Sequence, residues 1–127
     1  MYTVSIVRTF SSAHSLREYK GKCEALHGHN WKVEIIVGAN DLDKLGMVID
    51  FTILKKFANE ILDRYDHTLL NEIKPFDTIN PSSENMSKVL FDEFSKQIND
   101  DRIHIAGISV WESEGSKAHY CTGQSCC

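Results

Sequence analysis

The 127-residue sequence contains no apolar run long enough to cross a bilayer, and no basic stretch leads into an apolar core at its start. Neither a membrane span nor an export signal is therefore expected, and the expected compartment is the cytosol. Lysine and arginine nowhere cluster and the formal net charge is -4, which argues against a nucleic-acid-binding surface. A Gly-rich nucleotide fingerprint is missing too, as are internal repeats and low-complexity segments. Proline occurs only at Pro75 and Pro81, so long stretches are free of helix breakers.

What is present is an ordinary globular composition, 42% hydrophobic and 25% charged, at the length of one domain. Residues 1–120 read as that domain and residues 121–127 as a cysteine-rich tail carrying Cys121, Cys126 and Cys127. In a cytosolic chain these thiols are expected to be reduced.

Alternation of apolar and polar residues predicts strands from about Tyr2 to Ser12 and from about Asn30 to Ala39, joined by a polar segment with Arg17, Lys20, Lys22 and Cys23. Asp50 is placed to cap a helix in which Phe51, Leu54, Phe57, Ala58, Ile61, Leu62 and Tyr65 recur at helical spacing. Ser82 or Ser83 caps a second helix with Met86, Val89, Leu90, Phe94 and Ile98 as its apolar stripe. Ile103 to Glu112 alternates again, and Ala118 to Cys121 reads as a short return strand. Two strand pairs separated by two helices imply an α+β fold, a four-stranded antiparallel sheet with both helices on one face. Its two exposed edges invite pairing with other subunits.

The chemistry concentrates in Cys23-Glu24-Ala25-Leu26-His27-Gly28-His29. His27 and His29 share strand parity with Trp31, Val33, Ile35 and Val37, and His14 shares it with Val4, Ile6, Phe10 and Ser12. If the two strands pair without a bulge, the three imidazoles emerge together on the apolar face, with Gly28 letting the backbone pass close between them. Three neutral imidazoles suit a zinc ion with one open position, and no carboxylate at an obvious spacing favours iron. Lys20, Lys22 and the metal would favour Cys23 as thiolate, a base or nucleophile; an inert loop cysteine is the alternative. In Asp66-His67 the carboxylate can orient the ring for acid/base work, or the histidine can simply cap a helix end. Glu112 continues the parity of Ile108 and Val110 and should face inward, where a guanidine-like heterocycle or a partner within the protein can satisfy it. Asn80-Pro81-Ser82-Ser83-Glu84 offers hydroxyls and helix-start N–H groups to a polar ligand, although capping accounts for them as well.

Six ordered motifs resemble the 6-pyruvoyl-tetrahydropterin synthase family: Phe10 to His14, Cys23 to His29, Gly46 to Phe51, Asp66 to Asn71, Asn80 to Asn85, and Val110-Trp111-Glu112. The three-residue spacer between Cys23 and His27 is similar to the bacterial branch that forms 6-carboxytetrahydropterin in queuosine biosynthesis. The resemblance implies a tunnelling fold (T-fold) whose subunit sheets join into a barrel, commonly a trimer stacked into a hexamer, with active sites between subunits. It implies one zinc ion per subunit on His14, His27 and His29, Cys23 as base, Asp66-His67 reaching in from a neighbouring subunit, and Glu112 as pterin anchor. The implied reaction converts 7,8-dihydroneopterin triphosphate to 6-carboxy-5,6,7,8-tetrahydropterin, acetaldehyde and triphosphate. Glu24 beside Cys23 is similar to a subgroup that cleaves dihydroneopterin side chains to 6-hydroxymethyl-dihydropterin for folate synthesis. Further readings are a pyruvoyl-forming synthase and a silent pterin- or purine-binding module. Arg17, Lys20 and Lys22 are triphosphate-binding candidates by charge.

Overall fold

The computed structural model describes residues 1–21 and 24–123. Strand β1 (Tyr2–His14) and strand β2 (His27–Ala39) form a long antiparallel pair, followed by helix α1 (Phe51–Leu62). A two-residue strand β3 (Thr68–Leu69), helix α2 (Ser83–Ile98), strand β4 (Ile103–Ser113) and strand β5 (Ser116–Tyr120) complete the chain. The sheet order is β3-β1-β2-β4-β5, antiparallel throughout except that β3 lies parallel to β1. The sheet thus has one strand more than the four expected, because Thr68 and Leu69 turn back along the edge of β1 at Ser12 and Ala13. No helix among the described residues is long and apolar enough to cross a membrane.

Both helices form where caps and spacing favour them. Asp50 accepts the Thr52 N–H at 2.8 Å, and Ser82 accepts the Asn85 N–H at 3.1 Å. Leu54, Ala58, Ile61 and Leu62 of α1 are buried, as are Met86, Leu90, Phe94 and Ile98 of α2. Phe51, expected in the α1 stripe, is instead half exposed at the first helical position, together with Ile53. The helices cover the face of the sheet that carries Ile6, Phe10, Trp31, Val33, Ile35 and Val37, each largely or fully removed from solvent. Burial of side chains of this size contributes roughly 1.5–3 kcal/mol apiece. The opposite face is polar, with Ser5 donating to Glu34, Ser11 donating to Asn30, and Lys32 over the Trp111 ring.

Two features of register decide where side chains point. From Tyr2↔Ala39 to His14↔His27, β1 and β2 pair without interruption, and both strands run further toward the histidines than alternation alone suggested. In β4, Ile36 pairs with Gly107 whereas Val37 pairs with Ile105, so Ala106 is the extra residue of a bulge. The bulge switches parity: Ile103 and Ile105 are buried before it, and Ile108 and Val110 after it. Glu112, next in the second series, consequently faces the helix-covered side.

Exposed carboxylates brace the turns. Asp100 accepts the N–H groups of Arg102 and Ile103, each at 2.8 Å, and Asp43 accepts those of Leu45 and Met47. The Ile103 N–H chiefly holds the Asp100 carboxyl below its ordinary value of 3.8, and the Met47 N–H does the same for Asp43. A lowered folded pKa means stability that is complete above the ordinary value and lost as pH falls through the folded one. The urea midpoint should therefore drop as pH falls below the ordinary carboxylate value of about 4, and drop less steeply in Asp43→Ala and Asp100→Ala proteins. Equal acid sensitivity in the parent and both variants would show that these turns do not govern it.

Candidate metal centre

Unbroken pairing of β1 with β2 sets His14 directly opposite His27, with His29 two residues along the same face. The three rings meet edge to face, His14 to His27 at 4.7 Å, His14 to His29 at 5.0 Å and His27 to His29 at 4.7 Å between centroids. Trp31, fully buried, forms the floor, its ring 4.9 Å from that of His14. Gly28 is not needed for a close approach, since a Cβ there would meet nothing nearer than the Ser12 carbonyl at 4.0 Å.

The hydrogen bonds around the rings fix what their inner nitrogens can do. His14 Nδ1 donates to the Pro81 carbonyl and His27 Nδ1 to the Ala25 carbonyl, both at 2.8 Å, because a carbonyl oxygen can only accept. In the neutral rings each Nε2 then carries a lone pair, yet His14 Nε2 and His27 Nε2 lie 3.1 Å apart. Glu112 Oε1, also an acceptor, lies 3.1 Å from His14 Nε2 and 2.8 Å from His29 Nε2. The latter approach has the wrong direction for a hydrogen bond, which leaves His29 Nε2 a buried polar atom without a hydrogen-bond partner among the described residues. Burial pushes the His29 imidazole below its ordinary value, Glu112 opposes this, and His14 and His27 add to it. Neutral imidazole is the ligand form.

The His14 and His27 lone pairs and the Glu112 carboxylate facing one another are relieved by a positive charge between them. One donor atom from each of His14, His27, His29 and Glu112 falls within 4.8 Å of all the others. Tetrahedral zinc at ordinary bond lengths places its ligand atoms about 3.3 Å apart, close to the separations seen. The donor set therefore fits a small divalent cation. Glu112 faces inward as its parity predicts, and the bulge at Ala106 brings its carboxylate from β4 to the histidines, a relation that spacing along the chain does not show.

The other expected residues are distributed around this cluster. Asp66 and His67 sit where β3 meets the edge of β1: the Ser11 N–H donates to Asp66 Oδ1 at 2.9 Å and the His67 N–H to the Ser11 carbonyl at 2.6 Å. Those contacts hold His67 at φ 56°, a left-handed backbone that histidine rarely adopts, with Nδ1 3.0 Å from Asp66 Oδ2. The Ser11 N–H chiefly keeps the Asp66 carboxyl below its ordinary range, with His67 adding to the effect. Ser12 and Thr68 hydroxyls both donate to the Tyr65 carbonyl and steady the preceding turn. The His67 side chain is 81% exposed. A groove of about 360 Å³ runs beside it and reaches His29 of the cluster, lined also by Ser11, Ala13, Gly28 and Asn30.

Ser82 is engaged as the α2 cap, Ser83 is buried and Glu84 is exposed. Glu24 lies 3.8 Å from His27 Nδ1, while its Oε1 accepts the Leu16 N–H. Arg17 is not free to hold a triphosphate: its guanidinium donates to the carbonyls of Asn71, Phe76 and Ile79. Lys20 is exposed beside Tyr19. Cys23 and Lys22 lie outside the described residues, as do Cys126 and Cys127. Cys121 is disulfide-bonded, contrary to the expectation of reduced thiols. Sequence reasoning missed the Pro81 and Ala25 carbonyls that set the imidazole tautomers; only the histidine face, not the backbone behind it, leaves a pattern along the chain.

Three imidazoles and a carboxylate converging at the end of one sheet face of this α+β protein form a donor set that can hold a single small cation at a partly open site. The chain belongs to the 6-pyruvoyl tetrahydropterin synthase family, whose sequence profile matches residues 3–122. A relative from Archaeoglobus fulgidus is 40% identical over 104 residues, spanning 81% of this chain and 85% of its own. The 6-carboxy-5,6,7,8-tetrahydropterin synthase of Rickettsia typhi is 33% identical over 123 residues, spanning 83% of this chain and 89% of its own. The 6-pyruvoyl tetrahydropterin synthase of Caenorhabditis elegans, 24% identical, shares the T-fold, with a TM-score of 0.81 over 96% of both chains.

Proposed function

We propose that the protein is a zinc-dependent 6-carboxy-5,6,7,8-tetrahydropterin synthase of queuosine biosynthesis, acting in the cytoplasm on 7,8-dihydroneopterin triphosphate and releasing acetaldehyde and triphosphate. The reading rests on the convergence of one ring nitrogen from each of three histidines and a carboxylate oxygen within 4.8 Å of one another, in a chain whose Rickettsia relative bears that name. His14, His27 and His29 would hold the zinc, which supplies Lewis acidity toward side-chain hydroxyls of the substrate when bound.

The remaining roles fall to the protein's own groups. Asp66 holds the His67 ring through Nδ1, leaving Nε2 to give or take a proton. Cys23 is the partner base in this reading, and the zinc charge nearby favours its thiolate. Once a cation takes the imidazole lone pairs, the Glu112 carboxylate is available to two adjacent N–H groups of the pterin, in the bidentate manner of an arginine partner. The His67 ring is exposed and paired with Asp66, which leaves it available to a site shared between subunits. Most of the outer edge of β1 carries no strand among the described residues, and neither does the outer edge of β5, a suitable basis for closing a trimeric barrel and a hexamer of two trimers.

Glu24, within 3.8 Å of the His27 ring, supports a second reading in which the side chain is cut toward 6-hydroxymethyl-dihydropterin. Incubating zinc-loaded protein with dihydroneopterin triphosphate separates the two by mass and by the aldehyde released. Acetaldehyde with carboxytetrahydropterin is expected. Glycolaldehyde alone would move the protein to the folate branch, and no turnover by folded, metal-replete protein would remove both readings.

A further inference from the structure

We propose that Asn71 and Asn80 are positioning residues: their carboxamides prolong the edge of β1 past His14 and hold the segment leading to Cys23 and Glu24 against the metal cluster. The regular ladder between β1 and β2 ends at His14↔His27, and β3 accompanies β1 only at Ser12 and Ala13. Residues 15–17 have no strand partner among the described residues, yet their backbone groups are paired in strand-like alternation.

On the β3 side the partners are side-chain amides. The Ser15 N–H donates to Asn71 Oδ1 and Asn71 Nδ2 donates to the Ser15 carbonyl, both at 2.9 Å. Two residues on, the Arg17 N–H donates to Asn80 Oδ1 at 2.7 Å and Asn80 Nδ2 to the Arg17 carbonyl at 3.1 Å. Residues i and i+2 of a strand present both backbone groups to the same edge, so two carboxamides reproduce two rungs of a ladder. A peptide N–H and a peptide C=O on each amide also fix which end is oxygen and which nitrogen.

On the β2 side the partner is Glu24. Its N–H donates to the Leu16 carbonyl at 2.8 Å, and its carboxylate accepts the Leu16 N–H at 3.2 Å. Residues 15–17 are therefore clasped from both edges, and Glu24, the residue after Cys23, is joined to that rail by backbone and side chain. Asn80 is itself held, since its carbonyl accepts from Asn85 Nδ2 of α2 at 2.9 Å. The next carbonyl, that of Pro81, receives the His14 ring. The Arg17 guanidinium ties the intervening loop through the Asn71, Phe76 and Ile79 carbonyls. One rigid bracket thus serves both the metal cluster and the segment proposed to carry the base. It accounts for the amide side chains of Asn71 and Asn80, which helix capping does not use.

The proposal rests on the synthase reading for its kinetic part, and the test separates the two. Asn71→Ala and Asn80→Ala proteins are compared with the parent by amide hydrogen exchange, by zinc titration against a chelator, and by steady-state kinetics on dihydroneopterin triphosphate. Exchange at Ser15 and Arg17 should quicken about tenfold or more while helix amides keep their protection, since the lost bonds are local. Zinc stoichiometry should hold, and kcat should fall about tenfold to a hundredfold with KM little changed, as expected for a misplaced base. If an alanine protein fails to fold, Asn80→Asp keeps the acceptor for the Arg17 N–H, sets a carboxylate oxygen against the Arg17 carbonyl in place of the donor, and carries the same readouts. Parental kcat after loss of Ser15 and Arg17 protection would overturn the proposal, as would free exchange of those amides in the parent. Absence of turnover in the parent would count against the synthase reading, while exchange would still decide the bracket.

Discussion

His27→Ala protein is expected to bind zinc about a hundredfold more weakly than the parent while unfolding at nearly the same denaturant concentration. The magnitude follows from structural zinc sites, where roughly 10–16 kcal/mol of binding is shared among the four protein ligands of such a site, about 3 kcal/mol for each. The separation of metal loss from fold loss follows from exposure. The His27 side chain is 36% exposed and its ring makes one backbone hydrogen bond, to Ala25. His14, 1% exposed and bonded to Pro81, would leave a cavity as well as a missing ligand. Removing His27 also dissolves the close approach of two lone pairs at 3.1 Å, so metal-free variant protein should be no less stable than metal-free parent. Cys23→Ala protein should keep its metal. Full zinc occupancy in the His27 variant would remove that residue from the ligand set.

The second large effect lies across the proposed subunit boundary. His67→Ala should lower kcat by roughly a hundredfold to ten-thousandfold, the usual contribution of a positioned acid or base, with zinc content unchanged. Its ring touches only Asp66, and the Ser11 contacts that hold the turn come from backbone and from Asp66. In the reading where the exposed His67 ring serves a neighbouring subunit, a site made of His67 from one subunit and the histidines of another should complement. Equal mixing of His67→Ala and His27→Ala subunits, each inactive alone, should restore about a quarter of the parental activity, the chance of pairing one intact cluster with one intact dyad. No recovery from reassembled mixed oligomers would put dyad and cluster to work within one chain.

Much of this site was legible because strand parity is a strict code. His14, His27 and His29 share parity with the buried residues of β1 and β2, and one unbroken register sufficed to bring them together. The α1 and α2 stripes and the Asp50 and Ser82 caps were legible for similar reasons of local periodicity. Glu112 was harder. Its parity relative to Ile108 and Val110 was visible, but Ile103 and Ile105 follow the opposite parity, and only the bulge at Ala106 reconciles them. Phe51 was misread because the first turn of a helix overhangs the core it leads into. Arg17 looked like a free cation, and spacing along the chain holds no record of the three carbonyls that surround its guanidinium. Long-range pairing of side chains with backbone, as in Asn71 with Ser15, has no period to read.

Stripping zinc and restoring it one equivalent at a time, while following acetaldehyde release from dihydroneopterin triphosphate, tests the central claim most directly. Metal-free protein should be inactive, and activity should rise linearly to a plateau at one zinc per subunit. Undiminished acetaldehyde release by folded, metal-free protein would contradict the account.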